Sequence, residues 1–103
     1  MAAVQNQPTI TLPGIHNVLD LYPDRVVIHH KNVYLRMFSG DQVLPFSEIM
    51  SVQLFECRFS DYGELRFILA GAHQEAVVFK FKCEQHQTAS AIKAAVEAAR
   101  QTV

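Results

Sequence analysis

The stretch "GELRFILAGAHQEAVVFKFK", residues 63–82, is the part of the sequence that decides the fold. Apolar residues take every second position in both of its halves, first at Leu65, Phe67 and Leu69, then at Val77, Phe79 and Phe81. This two-residue period is typical of strands that bury one face. Residues 71–74, which begin with a glycine, predict a turn between the halves. The stretch is therefore predicted to form an antiparallel hairpin on the core.

The period changes to that of a helix after residue 84. One stripe carries Ala89, Ile92, Val96, Ala99 and Val103, and the opposite face carries Ser90, Lys93, Glu97 and Arg100. Apolar residues three and four positions apart mark the buried side of an amphipathic helix. The sequence therefore predicts one C-terminal helix over about residues 84–101 that packs its apolar stripe on the sheet.

Shorter apolar runs upstream, separated by turn residues, predict further strands. Pro23-Asp24 suits the centre of a tight turn, because proline presets the first dihedral angle there. Arg25–His30 and Val33–Phe38 are predicted to pair as a hairpin closed by Lys31-Asn32. This register places two pairs of residues opposite each other on the core side, Ile28 with Leu35 and Val26 with Met37.

The middle of the chain predicts two more strands and a helical turn. Gln42–Phe46 is a short strand that Pro45 restricts to an edge or an end. Ser47 is positioned to cap a single helical turn over Ser47–Met50. The next strand, Ser51–Phe59, changes its buried phase along its length, which predicts a bulge near Leu54-Phe55.

The resulting architecture is mostly β with one C-terminal helix. About seven antiparallel strands are expected in a bent sheet or open barrel, with the helix capping one open end. The chain of 103 residues, 50% hydrophobic and 18% charged, is the size and balance of one globular domain. We place this domain at residues 15–103, after an N-terminal tail of residues 1–14 in which Ile10–Leu12 adds a short strand.

This order of elements resembles the pleckstrin-homology-like (PH-like) superfold in its small bacterial form, over about residues 15–101. The likeness is clearest at "LPFSEIMSV", residues 44–52, where a strand ends in a proline–aromatic step before a Ser/Glu turn. "LYPDRVVIHHKNVYL", residues 21–35, looks like the first hairpins of such domains, and "GELRFIL" and "AVVFKF" before an alanine-rich helix look like the last. The resemblance implies a binding module, since members bind lipids or peptides or self-associate.

Composition argues against several classes of partner. The net charge is −1 and the nine Lys and Arg residues are scattered, whereas nucleic-acid binders are usually basic. Membrane contact is not expected either, because it would need clustered positive charge. The N-terminus lacks the basic and apolar regions of a signal peptide, so the predicted location is cytoplasmic and Cys57 and Cys83 are expected to stay reduced.

The candidate residues for chemistry do not form a recognisable site. His29 and His30 are adjacent on a strand and should point to opposite faces, so they should not share a metal ion. Cys83 and His86 have zinc-like spacing, but no second pair follows. We therefore expect no catalysis, metal, cofactor or small-molecule substrate. The alternative is a small ligand-binding or hydrolytic domain that uses Cys57 or a histidine pair.

Protein association, including homo-oligomerisation, is the favoured function. The candidate interaction surface is the outer face of the first hairpin, and its residues are Val27, His29, Tyr34, Arg36 and Phe38. Ile68, Val78 and either Phe55 or Phe59 are further apolar residues on outer faces. A second alternative is weak binding of anionic lipid through the tip of the same hairpin, where His30 and Lys31 would contact the anion with help from Arg36.

Overall fold

A computed structural model describes residues 8–32, 40–57, 61–71 and 76–101 of the chain. These residues form seven antiparallel strands and one C-terminal helix, which confirms the predicted fold class. Single 3-10 turns at Phe46–Glu48 and Cys83–Gln85 precede β5 and the helix. The elements are β1 (Ile10–Pro13), β2 (Asn17–Leu21), β3 (Arg25–His30), β4 (Gln42–Pro45), β5 (Ile49–Phe55), β6 (Tyr62–Leu69), β7 (Ala76–Lys82) and α1 (His86–Gln101).

The strands form two sheets. The first sheet has the order β1-β2-β3-β4 and the second has the order β5-β6-β7. In the first sheet, Leu21, Val26 and Leu44 lie side by side on adjacent strands, and all three are buried. Since side chains alternate between faces, this row defines the inner face of the sheet and the neighbouring residues define its outer face.

The hairpin of β6 and β7 has the predicted alternation. Leu65 is paired with Phe79, and both side chains are fully buried, as are Phe67 and Phe81. On the other face, Lys80 and Lys82 are exposed. Three buried phenylalanines on two strands supply much of the apolar area that stabilises a domain of this size.

The helix packs as predicted. Ala89, Ile92 and Val96 are fully buried, whereas Ala99 is only half-buried; Val103 lies outside the described residues. The helix contacts β1 of the first sheet and β5 of the second, so its apolar stripe is shared by both sheets. It begins at His86 because Cys83–Gln85 forms a 3-10 turn first.

The first sheet begins earlier in the chain than the predicted domain does. β1 lies within the segment assigned to the N-terminal tail, at the position where a short strand was expected. Its Leu12 is 1% exposed and pairs with Leu19 of β2. Residues 10–13 therefore belong to the folded sheet and contribute to its core.

The predicted partner of β3 is wrong. The proposed strand Val33–Phe38 lies outside the described residues, but β3 already has partners on both sides, namely β2 and β4. Val26 faces Leu44 and Ile28 faces Gln42, where Met37 and Leu35 had been predicted. Residues 33–38 and β4 have similar alternation, so either could pair with the same edge of β3. The prediction chose residues 33–38 because they need only a two-residue loop.

Two local predictions need correction. The helical turn exists, but it spans Phe46–Glu48, and its N-cap is Pro45, so Ser47 is not the cap. The irregularity in β5 lies between Ile49 and Ser51, not at Leu54-Phe55. Skipping one position there lets Ile49 and Val52 both point into the core, after which the strand alternates regularly.

The two sheets meet where the turn between β1 and β2 crosses β7. Ile15 N–H donates a hydrogen bond of 3.0 Å to the carbonyl of Lys80. Gly14 is buried, and a side chain there would collide with the Lys80 carbonyl and the ring of Phe79. Beside this crossing, Gln85 Nε2 donates to the carbonyl of Pro13 at 2.7 Å. These contacts fix the first sheet against the end of the second.

A disulfide joins Cys57 and Cys83, whose Cα atoms are 5.7 Å apart. The expectation of two reduced thiols is therefore wrong for this structure. Cys57 follows β5 and Cys83 follows β7, and these are the two outer strands of the second sheet. β5 and β7 lie on either side of β6 and both run antiparallel to it, so both end beside the first residues of β6. The two sulfurs are joined at this end of the sheet. The linear sequence, in which the cysteines are 26 positions apart, does not reveal this proximity.

The disulfide is expected to stabilise the domain mainly by restricting the unfolded chain. Replacing both cysteines with serine should lower the free energy of unfolding by about 2–4 kcal/mol, as measured by urea denaturation. Adding a reductant to the wild-type protein should give a similar loss, and the same reductant should leave the double variant unchanged. An unchanged wild-type midpoint under reductant would contradict this role.

Candidate interaction surfaces

The outer face of the first sheet carries one row of residues that crosses all four strands. In this row Thr11 pairs with Asp20, Asp20 with Val27, and Val27 with Val43. The row is polar on β1 and β2 and apolar on β3 and β4. Val43 is 50% exposed and lies on β4, which is the edge strand of this sheet among the described residues, whereas Val27 is half-buried.

The polar half of this face contains a group of hydrogen bonds centred on Asp20. Thr11 Oγ1 donates to one carboxylate oxygen at 2.8 Å, and His29 Nε2 lies 3.1 Å from the other. The side chains of Asp20 and His29 are each only 16% exposed. His29 Nδ1 is buried, and it has no hydrogen-bond partner in the part of the chain that the structure describes. Both carboxylate oxygens of Asp20 are therefore bonded within the sheet, whereas one ring nitrogen of His29 is not.

The predicted interaction surface is only partly covered by the described residues. Val27 and His29 lie on the outer face, as predicted, and both are half-buried. Tyr34, Arg36 and Phe38 lie outside the described residues.

Sequence reasoning missed Asp20, Thr11 and Val43 as members of this surface. A usable signal for Asp20 was present. The predicted turn is confirmed by the hydrogen bond from Tyr22 N–H to the carbonyl of Arg25, and extending its register places Asp20 opposite Val27.

A cavity of about 450 Å³ opens at the end of the first sheet, next to the predicted anion contact. Its lining includes His29, His30, Asn17, Asp41 and Gln42. Asp41 lines the same cavity as His30, and its negative charge disfavours binding of a phosphate there. Lys31 is exposed, and its backbone N–H donates to the carbonyl of His16 at 3.2 Å. Arg36, the third residue of that prediction, lies outside the described residues.

The residues singled out for chemistry are separated or bonded to each other. His29 pairs with Val18 on the outer face, whereas His30 pairs with Asn17 on the inner face. Cys57 is in the disulfide, so it carries no free thiol to act as a nucleophile. No group of three or more His, Cys, Asp or Glu residues that could hold a metal ion occurs within the described ranges.

The outer face of the second sheet has a different character. Phe55 pairs with Glu64 and Glu64 with Lys80, while Arg66 pairs with the 41%-exposed Val78. Arg66 Nη2 lies 3.1 Å from Glu64 and its guanidinium carbon lies 4.8 Å from the centre of the Phe55 ring. Charged groups on this face are thus held by contacts with aromatic rings as well as by one ion pair.

No protein-family model and no curated protein matches this chain. The resemblance to PH-like domains therefore stays a prediction. Within the described residues no helix has the length and apolar character needed to cross a membrane.

Asp20 is predicted to stabilise the first sheet more than an ordinary surface carboxylate. Replacing Asp20 with alanine removes the acceptor of Thr11 and His29 and should cost about 1–3 kcal/mol of unfolding free energy. Asp24→Ala is the matched control: its ion pair with Arg25 is exposed, so its loss should change stability by no more than about 0.5 kcal/mol. Equal losses for the two variants in thermal or urea unfolding would refute the network.

Proposed function

We propose that this chain is a non-catalytic binding module that associates with protein, in the first place with a second copy of itself. The contact surface is the outer face of the first sheet, centred on Val27 and Val43. The observation that carries the proposal is the exposure of Val43, which is 50% exposed on β4, the edge strand of that sheet among the described residues, beside the half-buried Val27 of β3. An edge strand with an apolar outer side chain is a site at which another chain can add.

The hydrogen bonds around Asp20 support burial of this face by a partner. Covering polar groups normally costs free energy, because water that bonded to them must be removed. Here both carboxylate oxygens of Asp20 already have partners within the sheet, at Thr11 and His29. A partner that covers Val27 and Val43 therefore has few unsatisfied polar groups to desolvate nearby.

The proposal that the module is non-catalytic is supported by the arrangement of its reactive residues. Cys57 is joined to Cys83, and His29 and His30 lie on opposite faces of β3, although both line the cavity at the end of the first sheet. Asp20 and His29 form an acid–imidazole pair of the kind found in hydrolases. In a hydrolase, the hydroxyl of the nucleophile bonds to the imidazole, which removes its proton. Within the described residues, Thr11 is the only hydroxyl bonded to the pair, and it donates to the carboxylate of Asp20 and not to the imidazole of His29.

The two cysteines give information about the cellular compartment of the protein. A cytoplasmic protein was predicted from the sequence. Disulfides persist mainly in oxidising compartments, and most cytoplasms keep thiols reduced. The Cys57–Cys83 bond therefore favours an oxidising compartment over the predicted cytoplasm.

The proposed association is tested with a single charge on the contact surface. Wild-type protein is expected to self-associate in a concentration-dependent way in light scattering. Val43→Asp should yield a monomer, since a carboxylate buried in an apolar contact would be left without a partner. The far-UV circular dichroism and melting temperature should stay close to wild type, because Val43 is exposed.

Val78→Asp is the matched control for this experiment. Val78 is also exposed and also on a strand, but it lies on the second sheet. It should associate like the wild type. Monomeric wild-type protein, or equal dissociation by both variants, would contradict the assignment of the surface to the first sheet.

A further inference from the structure

We propose that the outer face of the second sheet binds an acidic peptide segment in an extended conformation, along strand β7. This face is separate from the association surface around Val43, so the inference does not rest on self-association. We call it the basic face and define it by three cations, Arg66, Lys80 and Lys82, together with Tyr62 and Phe55.

Charge is concentrated on the basic face relative to the rest of the chain. The whole chain has a net charge of −1 with nine Lys and Arg residues, and three of these nine lie on this one sheet face. Glu64 is the carboxylate within the rows that contain them, and it bonds to Arg66. Three cations and one carboxylate leave a local excess of two positive charges in the described part of the face, which attracts an anionic partner.

Aromatic rings hold two of the cations in place, and one of the two, Arg66, is also paired with Glu64. Lys80 Nζ lies 4.9 Å from the centre of the Tyr62 ring, and the Arg66 guanidinium lies over Phe55. A carboxylate partner would cancel the charge of a lysine, but a neutral ring only restrains its position. Both cations therefore lose little side-chain freedom when an anion binds, which lowers the entropic cost of binding.

The same contacts favour a peptide over a single-stranded nucleic acid. Binding of unpaired bases depends largely on open aromatic faces on which the bases stack. Here Lys80 and Arg66 already lie over the faces of Tyr62 and Phe55. A peptide needs only that its carboxylates reach the cations, so it can bind without displacing them.

The spacing along β7 suits an extended peptide. Lys80 and Lys82 are two residues apart, on one face of the strand and both exposed. A strand rises about 3.3 Å per residue, so their Cα atoms are separated by roughly 6.6 Å. Acidic residues at alternate positions of an extended peptide have the same spacing. Val78, two residues before Lys80, is 41% exposed and would contact an apolar residue at the next alternate position.

The partner is thus an extended segment with an apolar residue followed or preceded by acidic residues at two alternate positions. Asp61 and Glu84 lie beyond the end of the strands next to Lys82, and Arg66 is paired with Glu64, so attraction should be greatest at Lys80. Because the contacts are exposed ion pairs, binding should be weak and should decrease as salt is added.

Fluorescence anisotropy with the full chain tests the proposal directly. The probe is a labelled eight-residue peptide with one valine and with glutamate at alternate positions, and the reference peptide has glutamine in place of each glutamate. The glutamate peptide should bind at least about tenfold more tightly at low ionic strength. Lys80→Glu/Lys82→Glu should reduce this affinity by about tenfold or more. Lys31→Glu/Arg100→Glu, which makes the same change of net charge elsewhere, should retain it.

Each remaining outcome would overturn the proposal. Equal binding of the glutamate and glutamine peptides would exclude recognition of the carboxylates. An equal loss of affinity in the two double variants, with unchanged circular dichroism, would mean that binding depends on the net charge of the protein and not on the basic face. Tighter binding of an oligothymidine than of the glutamate peptide would assign the basic face to nucleic acid instead.

Discussion

The crossing of the β1–β2 turn over β7 is the contact on which the arrangement of this domain depends. The two sheets share no strand pairing among the described residues, so their relative position must come from packing and a few directed bonds. At the crossing, Gly14 allows close approach to Phe79, and Ile15 bonds to Lys80. The helix then covers both sheets with Ile92 and Val96. Once these contacts form, one apolar core is enclosed and each sheet has one face directed outward.

The two outer faces have contrasting chemistry. On the first sheet, both carboxylate oxygens of Asp20 are bonded to Thr11 and His29, and the exposed part is apolar around Val43. On the second sheet, the exposed part is charged, with Lys80 held over Tyr62. The first face suits a contact that excludes water, and the second suits a weak, salt-sensitive contact. This contrast is the basis of the two proposals, one for each face.

Much of the fold was predictable because it follows from local periodicity. The alternation at Leu65, Phe67, Phe79 and Phe81 and the stripe at Ile92 depend only on neighbouring residues, and the core buries these side chains. Pairing between distant strands was not predictable in the same way. β4 pairs with β3 after an intervening segment, and no local pattern distinguishes that partner from the nearer run at residues 33–38.

The candidate sites were predictable only in part, for the same reason. Strand alternation alone places Val27 and His29 on an outer face. The bond between Asp20 and His29, the exposure of Val43 and the meeting of Cys57 with Cys83 all depend on the order of strands within a sheet. The basic face likewise escaped notice, because Arg66 and Lys80 are scattered in sequence and become neighbours only through the register of β6 and β7.

The most direct test of the account is hydrogen–deuterium exchange measured at several concentrations of the protein. If two copies associate through the first sheet, the amides of Gln42, Val43 and Leu44 in β4 and of the facing part of β3 should exchange more slowly as concentration rises. The amides around Val78 in β7 should exchange at the same rate throughout and serve as an internal reference. Exchange of Gln42, Val43 and Leu44 that is independent of concentration, in a range where the reference is also constant, would contradict the proposed association.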